Sequence, residues 1–405
     1  MKLLEVNFSD LVGHIFNGYD LHIELIKRGV PARQLVLDKR SGSESVRCIL
    51  KDSILHHQIR EFERKHSISN LLYPYGEEIA NSTEYDWSDL VHYHILHNGM
   101  VSLLDYPRLM NGKKSVWTVH DPWVVTGNCV YPLNCGRWKE GCGECARINE
   151  IYFEMDRDNT NFMWKQKRRI FSQINPHVIV SSGFMKRYLE ESPITAHFSK
   201  VHTIPFGIDV QKYLPINKAE EKHKRGIDEE KTVIGFRVDN AAIKGNKFIF
   251  EALRKLDLGS RIELMCIGNG SVPLEVKNKY HTIELGWVND ETEVIKFYQT
   301  CDIFVMPSLA ETFGLMAIEA MASECTVISF QSTVLEEITN APDYGIAVKY
   351  SSSEAIAWEI ARLINNPAEI RYRGEQGRKF VKTKYSFDVY IENHMKLFEK
   401  ILEEP

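Results

Sequence analysis

The chain has 405 residues, enough for two domains of ordinary size, and its 43% hydrophobic and 26% charged residues exclude a disordered polypeptide. Fifty Lys and Arg against 55 Asp and Glu leave a net charge of −5, which excludes a strongly basic nucleic-acid binder. No uncharged apolar run approaches the roughly 18–20 residues of a membrane span. The opening MKLLEVNFSD also lacks the apolar block of a secretory signal, so a cytoplasmic protein is expected.

Strand-length apolar runs alternate with helical patterns along the whole chain. Lys2–Asn7 reads as a strand, followed by an amphipathic stretch from Ile15, with Tyr19 and Ile23 on the same face. Further strands are expected at Gln34–Leu37, Leu90–Leu96, Ser115–His120, His177–Ser181 and Val201–Pro205, with a helix over Gly183–Glu190. Residues 215–232 are charged and read as an exposed connection. A second series follows: strands Val233–Val238, Ile262–Ile267, His281–Leu285, Asp302–Pro307 and Thr326–Phe330, and helices Lys247–Leu256, Glu291–Thr300, Phe313–Ser323, 353–365 and 386–402. This alternation predicts parallel sheets covered by helices in two α/β halves. In such sheets ligands gather at the carboxyl ends of the strands.

The richest segment runs from Asp302 to Glu319, reading DIFVMPSLAETFGLMAIE. A buried strand enters Pro307 and Ser308, Glu311 lies in a short loop, and a helix opens near Phe313. Backbone N–H groups around Gly314 and Leu315 have no intrahelical partner there and suit an anion. Glu319, one turn further along the same face as Leu315, suits the vicinal hydroxyls of a ribose, and Glu311 those of a sugar. The alternative is that both carboxylates merely favour the helix dipole.

Two Glu separated by seven residues after a strand ending in Pro-Ser resembles the signature of retaining GT-B glycosyltransferases of family 4. The resemblance implies two doubly wound Rossmann-like domains facing across a cleft. Residues 1–212 would form the acceptor-side domain and 213–385 the nucleotide-sugar domain; 386–405 would be a C-terminal helix able to cross back to the first domain. Arg237 and Lys244 resemble the family's cation pair on the donor diphosphate, although a small insertion separates them. Gly268 and Trp287 resemble its contacts near the base, with Ser308, Phe313, Gly314 and Leu315 around the phosphates. Gly13 is what remains of its glycine-rich loop after the first strand. His120, after the strand VWTVH, matches a His beside the transferred sugar, and His94 invites the same reading.

Downstream, Cys129, Cys135, Cys142 and Cys145 fall within a loop, 126–146, rich in glycine. Four thiolates so spaced suit a closed tetrahedral Zn²⁺, which would be structural because no coordination position stays open. Two disulfides or free thiols are the alternatives. The basic run Trp164–Arg169 reads either as an exposed amphipathic helix or as a contact with an anionic membrane face. The expected partners are a UDP- or GDP-sugar and a glycan or lipid-linked acceptor, with no nucleic acid and no cofactor needed for catalysis. A nucleotide-sugar 2-epimerase and a non-catalytic binding subunit are the rival readings.

Overall fold

A computed structural model describes residues 1–16, 18–49, 52–148 and 154–404. Its contacts separate two units, Met1–Phe206 with Tyr390–Pro405, and Gly207–Val389. The first unit contains a sheet of seven strands: β1 (Leu3–Ser9), β2 (Ala32–Asp38), β3 (Val46–Cys48), β4 (Leu90–Tyr93), β5 (Ser115–Val119), β6 (His177–Val180) and β7 (Val201–Thr203). Their order is β3-β2-β1-β4-β5-β6-β7, and every pairing is parallel. The second unit has β8 (Thr232–Arg237), β9 (Ile262–Ile267), β10 (Thr282–Glu284), β11 (Ile303–Met306), β12 (Thr326–Phe330) and β13 (Ile346–Val348). These run parallel in the order β10-β9-β8-β11-β12-β13. β4, β5, β6, β9, β11 and β12 are buried throughout, as strands covered by helices on both faces must be.

Three expectations need correction. The division between units falls after Phe206 rather than 212, because Gly207–Tyr213 is tied to the second unit. Ile208 exchanges backbone bonds with Tyr385 and Phe387, both 2.9 Å, and Arg378 donates to the Tyr213 carbonyl at 2.5 Å. The charged stretch 215–232 is not a bare connection: Lys218–Lys224 is helical, with the Asn217 side chain accepting from Ala219 and Glu220 at its start. Its buried Lys222 reaches the Asp302 carboxylate at 2.9 Å and the Lys231 carbonyl at 2.8 Å, so charge there is consumed inside the fold. The stretch expected to be helical from Ile15 starts its helix only at Tyr19, where Gly18 supplies the left-handed φ of 89°.

The last helices are Pro367–Lys384 and Phe387–Glu403. Buried His394 and Phe398 of the latter stand 5.8 and 5.4 Å, ring to ring, from His92 on β4.

Candidate functional site

In the second unit β8 and β11 are adjacent, while the chain leaves them toward opposite edges of the sheet. The crevice at their carboxyl ends is the usual ligand position of such a sheet. Arg237 is the last residue of β8, and β11 runs directly into Pro307 and the buried Ser308. Gly245 brings the neighbouring loop in: a Cβ there would stand 1.8 Å from the Pro307 carbonyl oxygen, and its φ is 71°. The Leu309 N–H donates to Ile243 at 2.8 Å and fixes the same contact.

As a result the Lys244 ammonium lies 2.7 Å from Glu311 Oε1. Arg237 Nη2 donates to Asp239 Oδ2 at 2.6 Å, and its guanidinium stands 5.7 Å from the centre of the exposed Trp287 ring. Asn246 braces the turn, donating to the Arg237 carbonyl at 2.6 Å and accepting from Asp239 N–H at 2.7 Å. One small pocket is lined by Arg237, Lys244, Pro307, Ser308, Glu311 and Met316. Four expected residues (Arg237, Lys244, Ser308 and Glu311) therefore converge. Asp239 and Asn246 were not foreseen, although an Asp two residues after a strand-ending Arg could have suggested the pair.

Gly314, at φ 103°, precedes the helix Leu315–Ala322, and no side chain caps that helix start. Leu335 fills the space where a Gly314 Cβ would go, 2.4 Å away. Glu319 is half-buried on this helix, and the Tyr298 hydroxyl donates to its Oε2 at 2.8 Å. Burial raises the Glu319 pKa, and the hydrogen bonds from Tyr298 and Tyr213 offset this only in part. Gly268, at φ 125°, donates its N–H to Gly286 and lies so close to Val238 that a Cβ would meet its carbonyl at 2.1 Å. Phe313 turns inward, edge-on to Tyr385 with ring centres 5.7 Å apart.

In the first unit, register places Glu5 of β1 beside His92 of β4. Two residues on, His94, just past the end of β4, lies on the same side as His92. Its Nε2 is 2.7 Å from Glu5 Oε2, and its Nδ1 is 3.2 Å from His120 Nε2. His92 Nδ1 stands 3.2 Å from the same Glu5 oxygen and its Nε2 2.7 Å from Thr118 Oγ1. Glu5, His92, His94 and His120 are all buried. Burial opposes ionisation of Glu5, but the two histidines outweigh it and hold the carboxyl far below the usual range. Burial, reinforced by neighbouring His92, lowers His94 to about 4. His120 is held well below its ordinary value by burial and by the other histidines. His120 is flanked by Phe206 and Phe16, at 5.9 and 6.4 Å between ring centres. Gly13, at φ 69°, belongs to the turn that carries Phe16. The sequence singles out His94 and His120 as candidates but not Glu5 and His92, which the structure brings to them. A Glu inside the apolar run LLEVNF was the available signal.

Cys129, Cys135, Cys142 and Cys145 line a single pocket with Pro132 and Trp138. No three of their sulfurs lie within 4.8 Å of one another; among the described residues only Glu5, His92 and His94 form such a group of potential ligand atoms. The Gly127 N–H donates to Cys142 Sγ at 3.2 Å, and Cys142, Gly141 and Gly143 all have positive φ. Burial pushes the Cys142 thiol up to about 12.

The basic run does not read out as a fully exposed face. In the helix Thr160–Phe171, Lys165, Arg168 and Arg169 are exposed, but Lys167 is fully buried. Its Nζ donates to the Trp123 and Thr126 carbonyls at 2.6 and 3.0 Å and lies 3.4 Å from the Trp123 ring centre; burial lowers its pKa to about 7, which neighbouring Cys142 and Cys129 oppose only in part. The helical period turned this one cation inward.

The comparisons with known proteins bear on both units. Glycosyltransferase Family 4 matches residues 19–212, and Glycosyl transferases group 1 matches residues 217–380. The chain is a GT-B glycosyltransferase. This glycosyltransferase is 23% identical over 351 residues to WcaC of Escherichia coli, named for colanic acid biosynthesis; the match covers 79% of the chain and 80% of WcaC. In fold it resembles sucrose-phosphate synthase from Thermosynechococcus elongatus, with a TM-score of 0.69, 17% identity and 99% of both chains covered. It also resembles Anabaena HepE in complex with UDP and glucose, with a TM-score of 0.66, 13% identity, and 98% and 99% of the two chains covered. No described helix is long and apolar enough to cross a membrane.

Proposed function

We propose that this glycosyltransferase moves a sugar, with retention of configuration, from a UDP- or GDP-sugar to a glycan or lipid-linked acceptor in cell-surface polysaccharide synthesis. The observation that carries the reading is the convergence of Arg237, Lys244, Ser308 and Glu311 at the carboxyl ends of β8 and β11. WcaC's name supports the pathway class, and HepE's bound UDP the donor class. Arg237 and Lys244 neutralise the diphosphate as negative charge grows on the leaving group, and the uncapped N–H groups after Gly314 add to this. Both cations leave carboxylate partners to do so, which releases Glu311 for hydroxyls of the donor sugar. Glu319, oriented by Tyr298 and Tyr213, accepts from the ribose. His120 accepts from a hydroxyl of the transferred sugar. The acceptor hydroxyl attacks the face the diphosphate leaves, and a departing phosphate oxygen takes its proton.

Incubation with a panel of UDP-, GDP- and dTDP-sugars tests this reading. Transfer or slow donor hydrolysis with retained anomeric configuration is expected. Isomerisation of the sugar would favour a 2-epimerase, and binding without turnover a non-catalytic subunit.

We also propose that the four cysteines hold a structural Zn²⁺. A shared pocket, the N–H bond to Cys142 and the buried Lys167 support it, since a tetrathiolate centre carries negative charge that would hold Lys167 protonated against its burial. The sulfurs must draw together on binding. Purified protein should contain about one zinc per chain. Cys142→Ser should lower metal content and melting temperature together, and metal-free protein of undiminished stability would refute the assignment.

A further inference from the structure

Glu5 takes no part in the reading above, yet it is a buried carboxylate two hydrogen bonds behind His120. A carboxylate only accepts, so the 2.7 Å contact requires a proton on His94 Nε2. Neutral His94 then presents a bare lone pair at Nδ1. Two lone pairs cannot face each other at 3.2 Å, so His120 Nε2 carries the proton between the rings. That leaves Nδ1 of His120 as the atom whose role is set, and it has no hydrogen-bond partner. A buried nitrogen without a partner is costly and seldom retained without a purpose.

From this geometry we propose that Glu5, acting through His94, is a positioning residue that fixes His120 with Nδ1 as a hydrogen-bond acceptor, so that the ring takes a hydroxyl donor from its ligand and rejects a carbonyl or an anion. Gly18 belongs to the device, because a Cβ there would strike the His94 ring at 2.4 Å. The ligand's identity as a sugar rests on the function proposed above; the direction of the relay does not. Neutral rings suit the burial of all three groups, and the low pKa of His94 agrees with it.

Long-range ¹H–¹⁵N correlation spectra of the full chain labelled with ¹⁵N-histidine report the protonation of each ring nitrogen. The expected result near neutral pH is a proton on Nε2 and none on Nδ1, for both His94 and His120. A His120 protonated at Nδ1, or at both nitrogens, overturns the proposal without any variant having to fold. Glu5→Leu leaves His94 Nε2 without an acceptor, so neither ring is held in one tautomer and His120 should populate both the Nδ1–H and the Nε2–H form. It should also lower transfer about tenfold while leaving UDP or GDP affinity unchanged. A single, unchanged His120 tautomer in folded Glu5→Leu overturns the role of Glu5. Stoichiometric metal in the parent that is lost in Glu5→Leu overturns it too, since the triad would then be a metal centre. If the tautomers are as expected but His120→Ala transfers sugar normally, the relay stands and the placement of His120 at the sugar fails.

Discussion

The carboxyl ends of β8 and β11 and the histidine cluster behind β4 solve opposite problems with similar residues. In the first, each cation is half-buried and already paired, Lys244 with Glu311 at 2.7 Å and Arg237 with Asp239 at 2.6 Å. Pairs of this exposure contribute little to stability, so an incoming anion can displace the carboxylates at small cost. In the second, Glu5, His92 and His94 hold charge and protons in a buried network that leaves only His120 Nδ1 without a partner, and a lost partner there is expensive. The comparison separates a site built to exchange partners from one built to hold a single arrangement.

The largest expected effect breaks the locked side. Gly18→Ala forces a non-glycine residue to φ 89° and drives a Cβ into the His94 ring. The backbone costs about 1–2 kcal/mol. Overpacking adds about 1–3 kcal/mol. Urea unfolding should show the loss, and transfer should fall beyond what the lost stability explains, because His94 is displaced. A variant of parental stability would show that the cluster has slack and is not locked.

On the exchangeable side Arg237→Ala should reduce donor-dependent kcat/KM by about 1.5–3 kcal/mol, or roughly ten- to a hundredfold, with little change in melting temperature. Unchanged kcat/KM and nucleotide affinity would remove Arg237 from the diphosphate.

Glu319 lies between the two cases and sharpens the contrast with Glu311. Glu319→Gln should weaken UDP or GDP itself by roughly 1.5–3 kcal/mol, whereas Glu311→Gln should leave free nucleotide binding nearly intact and reduce transfer. Calorimetry with the free nucleotide separates them, and equal losses would refute the division. Because burial raises the Glu319 pKa, the native state binds its proton more tightly than the unfolded chain. Its contribution to stability is therefore full at acidic pH and is lost as pH rises through the raised pKa. Glu319→Gln should accordingly melt no lower than the parent at neutral pH, with any advantage vanishing below the ordinary carboxylate range. A variant that is less stable at neutral pH would mean the tyrosines stabilise the charged form more than burial opposes it.

What was legible in the sequence follows the same contrast. Alternating apolar runs revealed both parallel sheets, and the strands Ile262–Ile267 and Thr326–Phe330 fall where the pattern put them. Arg237, Ser308, Glu311 and Glu319 could be named as candidates because strand-end and helix-start motifs are local in sequence, and Arg237, Ser308 and Glu311 line one pocket. Glu5, His94 and His120 meet only through the order β1-β4-β5, with 89 positions separating Glu5 from His94, and no spacing rule reports that. Lys167 and Lys222 show a second limit. In both runs charge reads as solvation, but carbonyl or carboxylate partners from distant elements draw single cations inward.

The smallest expected effect tests whether the Arg237–Asp239 pair is truly exchangeable. In the free protein Asp239 holds the guanidinium through Oδ2 while its Oδ1 accepts from the Ala241 N–H at 2.9 Å. Asp239→Asn keeps a side-chain oxygen for that turn and removes the negative charge next to the place proposed for the diphosphate. If the carboxylate merely occupies Arg237 until donor arrives, the variant should bind UDP or GDP more tightly, by about 0.2–1 kcal/mol, the worth of a weak ion pair. The gain should shrink with added salt, since half-exposed charges are screened. Weaker binding in Asp239→Asn would reverse the interpretation. Asp239 would then aim the Arg237 fork at the phosphates, and this side of the comparison would also be preset.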